Sequence, residues 1–405
     1  MSALFSKIQL RELTLRNRLV ISPMCQYGAI DGVVNHDHLV HYGRFALGGF
    51  GLVFVEATAV SKEGRITHGD VGLWSDSQTK GLADIARVLK SNGAAAGIQL
   101  AHAGPKASMQ RPYHGDGPLN ESDFARGDKP WPIVSASALP VADGWLVPEA
   151  LDADGLARIK NDFVAAAQRA LEAGFDTIEL HCAHGYLLNS FLSPLTNHRQ
   201  DEYGGDLAGR MRLPLEIAKT LRALWPANKP VFVRVSAVDN VRVGFGIEDT
   251  IAFAKALKAL NVDVVDCSTG GIGGTYEHPS GYAYQVPHAA RVRAEAHIAT
   301  MAVGLIVDAH QAEKIVAEGR ADLVAIGREA LKNPNFAFHA QQELSAATAD
   351  APYSDWAPRY GWWLNGRQKG LNKLGVWSVA GDDAVNNPLA PTLSAKVSSR
   401  VKEEV

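Results

Sequence analysis

Thr177-Ile178-Glu179-Leu180-His181-Cys182-Ala183-His184-Gly185-Tyr186 decides how this chain reads. Its opening residues alternate: Ile178 and Leu180 fall on one side, Thr177, Glu179 and His181 on the other, as a strand with two buried but different faces requires. A helix precedes it. From Asp154, a suitable N-cap, apolar residues recur at Leu156, Ile159, Phe163, Ala167, Ala170 and Leu171, with Arg158, Asp162, Arg169 and Glu172 elsewhere, and Gly174 stops the run. Helix running into strand is the repeating step of a parallel α/β fold. Strands of the same kind are expected at 18–22, 51–56, 95–100, 177–181, 231–236, 264–268, 299–303 and 322–326. Eight strands are the number that closes a (β/α)8 TIM barrel. In such a barrel His181 points inward at the C-terminal rim, where barrel enzymes carry their active sites.

Composition narrows the function classes. With 405 residues, 46% of them apolar, and a net charge of −3, the chain can bury a large core and offers no basic patch, so no nucleic-acid partner is expected. Nowhere do about 18 apolar residues run together, and Met1-Ser2-Ala3-Leu4-Phe5 does not read as a secretory leader; no membrane association and a cytoplasmic location are expected. Cys25, Cys182 and Cys267 are odd in number and widely spaced, unlike a disulfide framework.

The expected barrel occupies 1–345. Within it the Gly-, Pro-, Asp- and Ser-rich stretch from 103 to 154 is far longer than an ordinary connection, and short alternations at 133–137 and 145–147 suggest a small hairpin in an ordered cap over the barrel mouth. An aromatic segment, 346–379, carries Trp356, Arg359 and Tyr360 and suggests docking on the barrel or on a neighbouring subunit, consistent with a homodimer or homotetramer. The last stretch, 380–405, is polar and lacks apolar periodicity.

The strand ends collect chemistry. Ser22-Pro23-Met24-Cys25 follows the first strand and Glu56-Ala57-Thr58 the second, Gln99 lies near the end of the third, and Arg234 lies in the fifth. Gly304 follows the seventh and Gly327-Arg328 the eighth. Glycines there let a phosphate approach backbone N–H groups, and Arg328 adds a bidentate donor. Gln99 and Arg234 suit the polar edge of a heterocycle, where an arginine stabilises an anionic reduced ring. A phosphorylated cofactor across the barrel mouth is therefore expected. His181 and His184, with the phenol of Tyr186, suit holding a carbonyl oxygen while a proton is delivered nearby. His181-x-x-His184 with Cys25 or Cys182 could instead ligate zinc in a TIM-barrel hydrolase. No carboxylate motif completes such a site, and the glycine and arginine loops would go unexplained.

Several motifs, met in order between about residues 4 and 360, resemble the Old Yellow Enzyme family. They are Ser22-Pro23-Met24-Cys25-Gln26-Tyr27, Gln99-Leu100-Ala101-His102-Ala103-Gly104 with Lys106, His181 to Leu188, Phe191-Leu192-Ser193-Pro194-Leu195-Thr196-Asn197 with Arg199, Asp201-Glu202-Tyr203-Gly204-Gly205, and Gly327-Arg328. Cys25 and Tyr27 resemble its bacterial xenobiotic reductase and thermophilic-like branch. The resemblance implies an FMN-dependent ene-reductase on a TIM barrel, with non-covalent FMN, NADPH or NADH as hydride donor, and activated alkenes as substrates. It assigns Pro23, Met24, Cys25, Ala57, Gln99, Arg234, Gly304, Gly327 and Arg328 to FMN. His181 and His184 would bind the substrate carbonyl, Tyr186 would donate the proton, Cys25 would tune the flavin, and Tyr27 and Lys106 would line the pocket. By the same resemblance Trp356 or Arg359 would reach a neighbouring subunit's site. Ping-pong turnover would pass hydride from flavin N5 to the β-carbon of an α,β-unsaturated carbonyl. A non-catalytic flavin sensor that uses the C-terminal extension for partners is the alternative. Val303 stands where some xenobiotic reductases carry a pocket tryptophan, which implies a wider pocket. Three scattered cysteines exclude the iron–sulfur reductases of related barrels.

Overall fold

Eight parallel strands close into a barrel in the computed structural model, which describes residues 2–272, 281–345 and 351–374. They are β1 (Leu19–Ile21), β2 (Leu52–Ala59), β3 (Ala95–Ala101), β4 (Thr177–Cys182), β5 (Val231–Ser236), β6 (Val264–Ser268), β7 (Ala299–Ala302) and β8 (Leu323–Ile326). Each pairs with its neighbour in the chain, and β8 closes on β1 through Val324 opposite Leu19. All eight lie where sequence periodicity predicts them.

A helix follows every strand: α1 (His36–Leu47), α2 (Thr79–Ser91), α3 (Ala153–Glu172), α4 (Leu207–Leu224), α5 (Ile247–Ala259), α6 (Val286–Ala296), α7 (Ala309–Ala317) and α8 (Phe336–Leu344). The N-cap of α3 is Asp152, not Asp154. Asp152 keeps extended backbone and its Oδ1 accepts from the N–H of Gly155 at 2.8 Å, whereas Asp154 lies inside the first turn. Such a cap is worth about 1 kcal/mol.

Strand alternation sorts the side chains into two cores. Ile178, Leu180 and Cys182 of β4 join Phe163, Ala167 and Ala170 of α3 in the layer between strands and helices. The inward-facing set stacks in layers. Lowest are Val20, Leu52, Phe54, Phe232, Val264, Met301 and Leu323, with Phe54 edge-on to Phe232 at 5.4 Å. Leu10 and Leu15, from the antiparallel pair Ile8–Leu10 and Leu13–Leu15, close this end of the barrel. Each such large apolar side chain contributes roughly 1.5–3 kcal/mol by leaving water. Above them the interior turns polar, with Gln99, Glu179, Arg234 and Asp266 all buried. His181, Ser236 and Ser268 form the next level, at the strand ends.

The cap after β3 is ordered, but it contains no hairpin at the expected place. Val134–Ser135 pairs in parallel with Glu149–Ala150, and Trp145 to Val147 lies outside the pairing. The intervening chain is long enough to cross over and return in the same direction, which a tight turn forbids. Trp131 anchors the cap: its Nε1 donates to the carbonyl of Glu63 at 2.9 Å, and the Arg65 guanidinium lies 4.7 Å from its ring centre.

The chain divides into two compact units, Met1–Ser345 and Ala346–Val405. In the second unit a helix spans Pro358–Leu374, with Trp356 just before it and Arg359 in its first turn. The polar stretch expected at 380–405 lies outside the described residues. No helix of the described residues is long and apolar enough to cross a membrane.

Candidate active site

The end of β4 sets two imidazoles and a phenol edge to face. The ring of His181 lies 5.2 Å from that of His184 and 5.0 Å from that of Tyr186, near perpendicular to both. His181 Nδ1 accepts from the backbone N–H of Ala183 at 3.2 Å, so the proton of the neutral ring sits on Nε2. His184 holds a left-handed backbone, φ +64°, a conformation few non-glycine residues adopt, and its surroundings fix it there. Its N–H donates to Ser236 Oγ at 2.9 Å, its carbonyl accepts from Lys106 Nζ at 2.8 Å, and its ring Nε2 lies 2.7 Å from Ser268 Oγ. Gly271 presses on the same residue, since a Cβ there would come within 2.2 Å of His184 Cα. Burial, with the charge of Arg234 nearby, drives both imidazoles well below their ordinary pKa, so both are neutral at pH 7. Burial pushes the Tyr186 phenol up, which keeps its proton on.

Tyr186 also belongs to an apolar patch with Ala57, Ala101, Ala103, Met109 and Ile133, which Cys25, Tyr27, Trp131 and Trp145 adjoin. Burial and the carboxyls of Glu56 and Asp70 raise the Cys25 thiol. The loop that carries it is tied down by Glu56, whose Oε1 accepts from the N–H of Gln26 at 2.9 Å and whose Oε2 accepts from Tyr42 Oη at 2.6 Å. Burial pushes Glu56 up to about 8. Lys106, whose Nζ lies 5.8 Å from the centre of the Tyr186 ring, is half-buried, and burial pulls its ammonium down to about 8.

Beside His184 opens a cavity of about 400 Å³, lined among others by Arg234, Ser268, Val303, Gly304, Gly327 and Arg328. That volume is within the usual range of roughly 300–1,000 Å³ for small-molecule sites. Gly304 has φ +110°, and a Cβ on it would project to within 2.8 Å of Gln285 Oε1. Arg234 donates from Nη1 to Ser22 Oγ at 3.1 Å, and its Nε lies 3.1 Å from Asp266. Two guanidiniums and two glycines around one cavity fit a phosphorylated anionic cofactor. Of the other residues predicted to hold one, Met24 lies against Gly327, its Sδ 3.7 Å from where a Cβ would stand. Pro23 is in the loop between β1 and Cys25, Ala57 is in the apolar patch, and Gln99 sits lower, donating to Glu179 Oε1 at 2.8 Å. Trp356 and Arg359 belong to the second unit. Cys182, a possible fellow zinc ligand by sequence, faces the helices instead.

Residues 3–347 match the NADH:flavin oxidoreductase / NADH oxidase family. The chain belongs to the Old Yellow Enzyme family. It is an oxidoreductase that uses FMN and NAD(P)H. An NADPH dehydrogenase of Listeria innocua is 44% identical over 87% of this chain and 98% of its own length. One from Bacillus subtilis is 42% identical over 84% and 95%. The structure of morphinone reductase superposes with a TM-score of 0.70 at 25% identity, over 88% of this chain and 96% of that one.

Against this Old Yellow Enzyme background, sequence reading overlooked the serines and acids that hold the named residues in place. Ser236 and Ser268 end β5 and β6 with the small hydroxyl residues a rim needs, a visible but weak signal. Glu179 and Asp266 were legible as acids at inward positions of otherwise apolar strands, which calls for partners.

Proposed function

We propose that this enzyme reduces the carbon–carbon double bond of α,β-unsaturated carbonyl compounds, with NADPH as its donor. One observation carries the reading: two imidazoles and a phenol converge edge to face beside a cavity suited to FMN. Gly304, Gly327 and Arg328 would hold the FMN phosphate; Arg234, Gln99, Pro23, Met24, Cys25 and Ala57 would surround the rest. Bound there, the flavin supplies the hydride, drawn from NAD(P)H.

The protein's own groups do the remainder. His181 offers its Nε2–H to the substrate oxygen, and His184 exchanges Ser268 Oγ for that oxygen at its Nε2. Neutral donors are needed, because they polarise the carbonyl without surrendering a proton to it. Tyr186 gives its proton to the α-carbon; being buried, it holds that proton until charge develops. Lys106 keeps His184 in its left-handed conformation. Tyr27 and Lys106 bound the substrate's far side. NADPH is favoured over NADH by the names of the Listeria innocua and Bacillus subtilis relatives.

NADPH-driven conversion of 2-cyclohexenone to cyclohexanone tests the reading. His184→Ala should lower that rate about 10²–10³-fold with flavin still bound, by analogy with removal of an oxyanion donor. Cyclohexanone formation no faster than without enzyme would overturn it.

A further inference from the structure

Beneath the rim the barrel holds more buried charge than it neutralises. Glu179 and Asp266 are completely buried and face inward, and Arg234 is the guanidinium set between them, on the strand between theirs. Gln99 satisfies one oxygen of Glu179, while Oε2 has no hydrogen-bond partner among the described residues. Both oxygens of Asp266 lack hydrogen bonds among them as well; its attraction is to the Arg234 Nε at 3.1 Å. Among the described residues the neighbouring layers offer no further charge. Below lies the apolar layer of Phe54, Phe232, Val264 and Met301, and above stands His181, which is neutral.

Two carboxylates sharing one guanidinium in so dry a place cannot both stay ionised. One proton is therefore resident on the pair, and it belongs to the pair rather than to either acid. Burial and the charge of Asp266 push Glu179 up to about 8, in the same sense. Arg234 is the link outward, because it also lines the cavity of about 400 Å³ and donates to Ser22. Negative charge added in that cavity competes with Asp266 for Arg234. As that attraction weakens, an acid with two bare oxygens must take up a proton.

We propose that Glu179 and Asp266 form a proton-holding pair that binds one additional proton when FMN, held in the cavity that Arg234 lines, is reduced. The balance is simple. Two electrons from NADPH or dithionite go to the flavin with the proton it binds itself; the singly protonated pair takes one further proton from solvent and becomes two carboxylic acids. The inference needs only the cofactor, not the choice of alkene, so it stands or falls separately from the proposed reaction.

Reduced-minus-oxidised infrared difference spectra of the FMN-loaded enzyme, without any alkene, test it directly. Near pH 7.5 the wild type should gain one carboxylic-acid carbonyl band and lose one carboxylate. The Glu179→Gln/Asp266→Asn double variant, which has no acid left beside Arg234, should lack that gain. In parallel, the pH dependence of the midpoint potential should report one more proton per two electrons in the wild type than in the double variant. A wild-type difference spectrum without a new carboxylic-acid band would overturn the proposal, whatever the variant does. An equal proton count in the wild type and the flavin-loaded double variant would do the same.

Discussion

Gly304→Ala probes where the cofactor sits. Glycine alone holds φ +110° without strain, and an alanine forced to keep it costs about 1–3 kcal/mol. The new Cβ also meets Gln285 Oε1 at 2.8 Å and Tyr284 Cε1 at 3.1 Å; the amide can swing aside, so backbone strain dominates. In the cofactor-free protein the loop after β7 can relax that strain, whereas closing on a phosphate restores it. The cost then appears as affinity: FMN should bind roughly 5- to 150-fold more weakly, since each 1.36 kcal/mol is tenfold. Quenching of FMN fluorescence during titration of the apoprotein measures this. Gly319→Ala is the control, with φ +65° but only an ordinary contact to Arg293 at 3.6 Å and no place in the cavity. It should leave FMN affinity unchanged. If both variants bind FMN like the wild type, the phosphate does not lie against Gly304 and the cofactor placement fails.

Two further outcomes follow from the same geometry. Burial lowers Lys106 from 10.5 to about 8, so the unfolded chain holds that proton more tightly and the native ammonium destabilises the fold at neutral pH. Between pH 7 and 10 the wild type should therefore gain about 2.5 kcal/mol in urea denaturation that Lys106→Met does not gain; a pH-independent difference would mean a solvated ammonium. Ser268→Ala leaves His184 Nε2 without its partner until substrate arrives, so the KM for 2-cyclohexenone should fall about 2- to 10-fold, the worth of one hydrogen bond. A raised KM with unchanged flavin binding would instead make Ser268 the group that orients the imidazole.

The barrel was legible because its signals are local and repeated. Ile178 and Leu180 against Glu179 and His181 announce a two-faced strand, and the apolar period of α3 leads into it. Partners are another matter. In Leu151-Asp152-Ala153-Asp154, either aspartate could cap, and only the point where the backbone leaves its extended form chooses Asp152. The alternation at Val134 and Ser135 shows a strand without showing that Glu149 and Ala150 pair with it, or in which direction. Site residues divide the same way. Gly304, Gly327 and Arg328 could be assembled because barrel closure places consecutive strand ends together. Lys106 reaching the carbonyl of His184, 78 residues away, and Ser268 meeting its ring, 84 away, depend on side-chain reach that composition does not encode. Arg234 was expected at the polar edge of a heterocycle, yet its contact with Asp266 appears only when β5 and β6 are laid side by side.

Tyr186→Phe, followed in separate half-reactions by stopped-flow absorbance of the flavin, tests the central claim most directly. The variant keeps the ring that packs against His181 and loses only the proton. Reduction by NADPH should proceed at the wild-type rate, and reoxidation by 2-cyclohexenone should slow about 10²–10⁴-fold, the usual share of a positioned general acid. Reoxidation at the wild-type rate would contradict the account and remove Tyr186 as the proton donor.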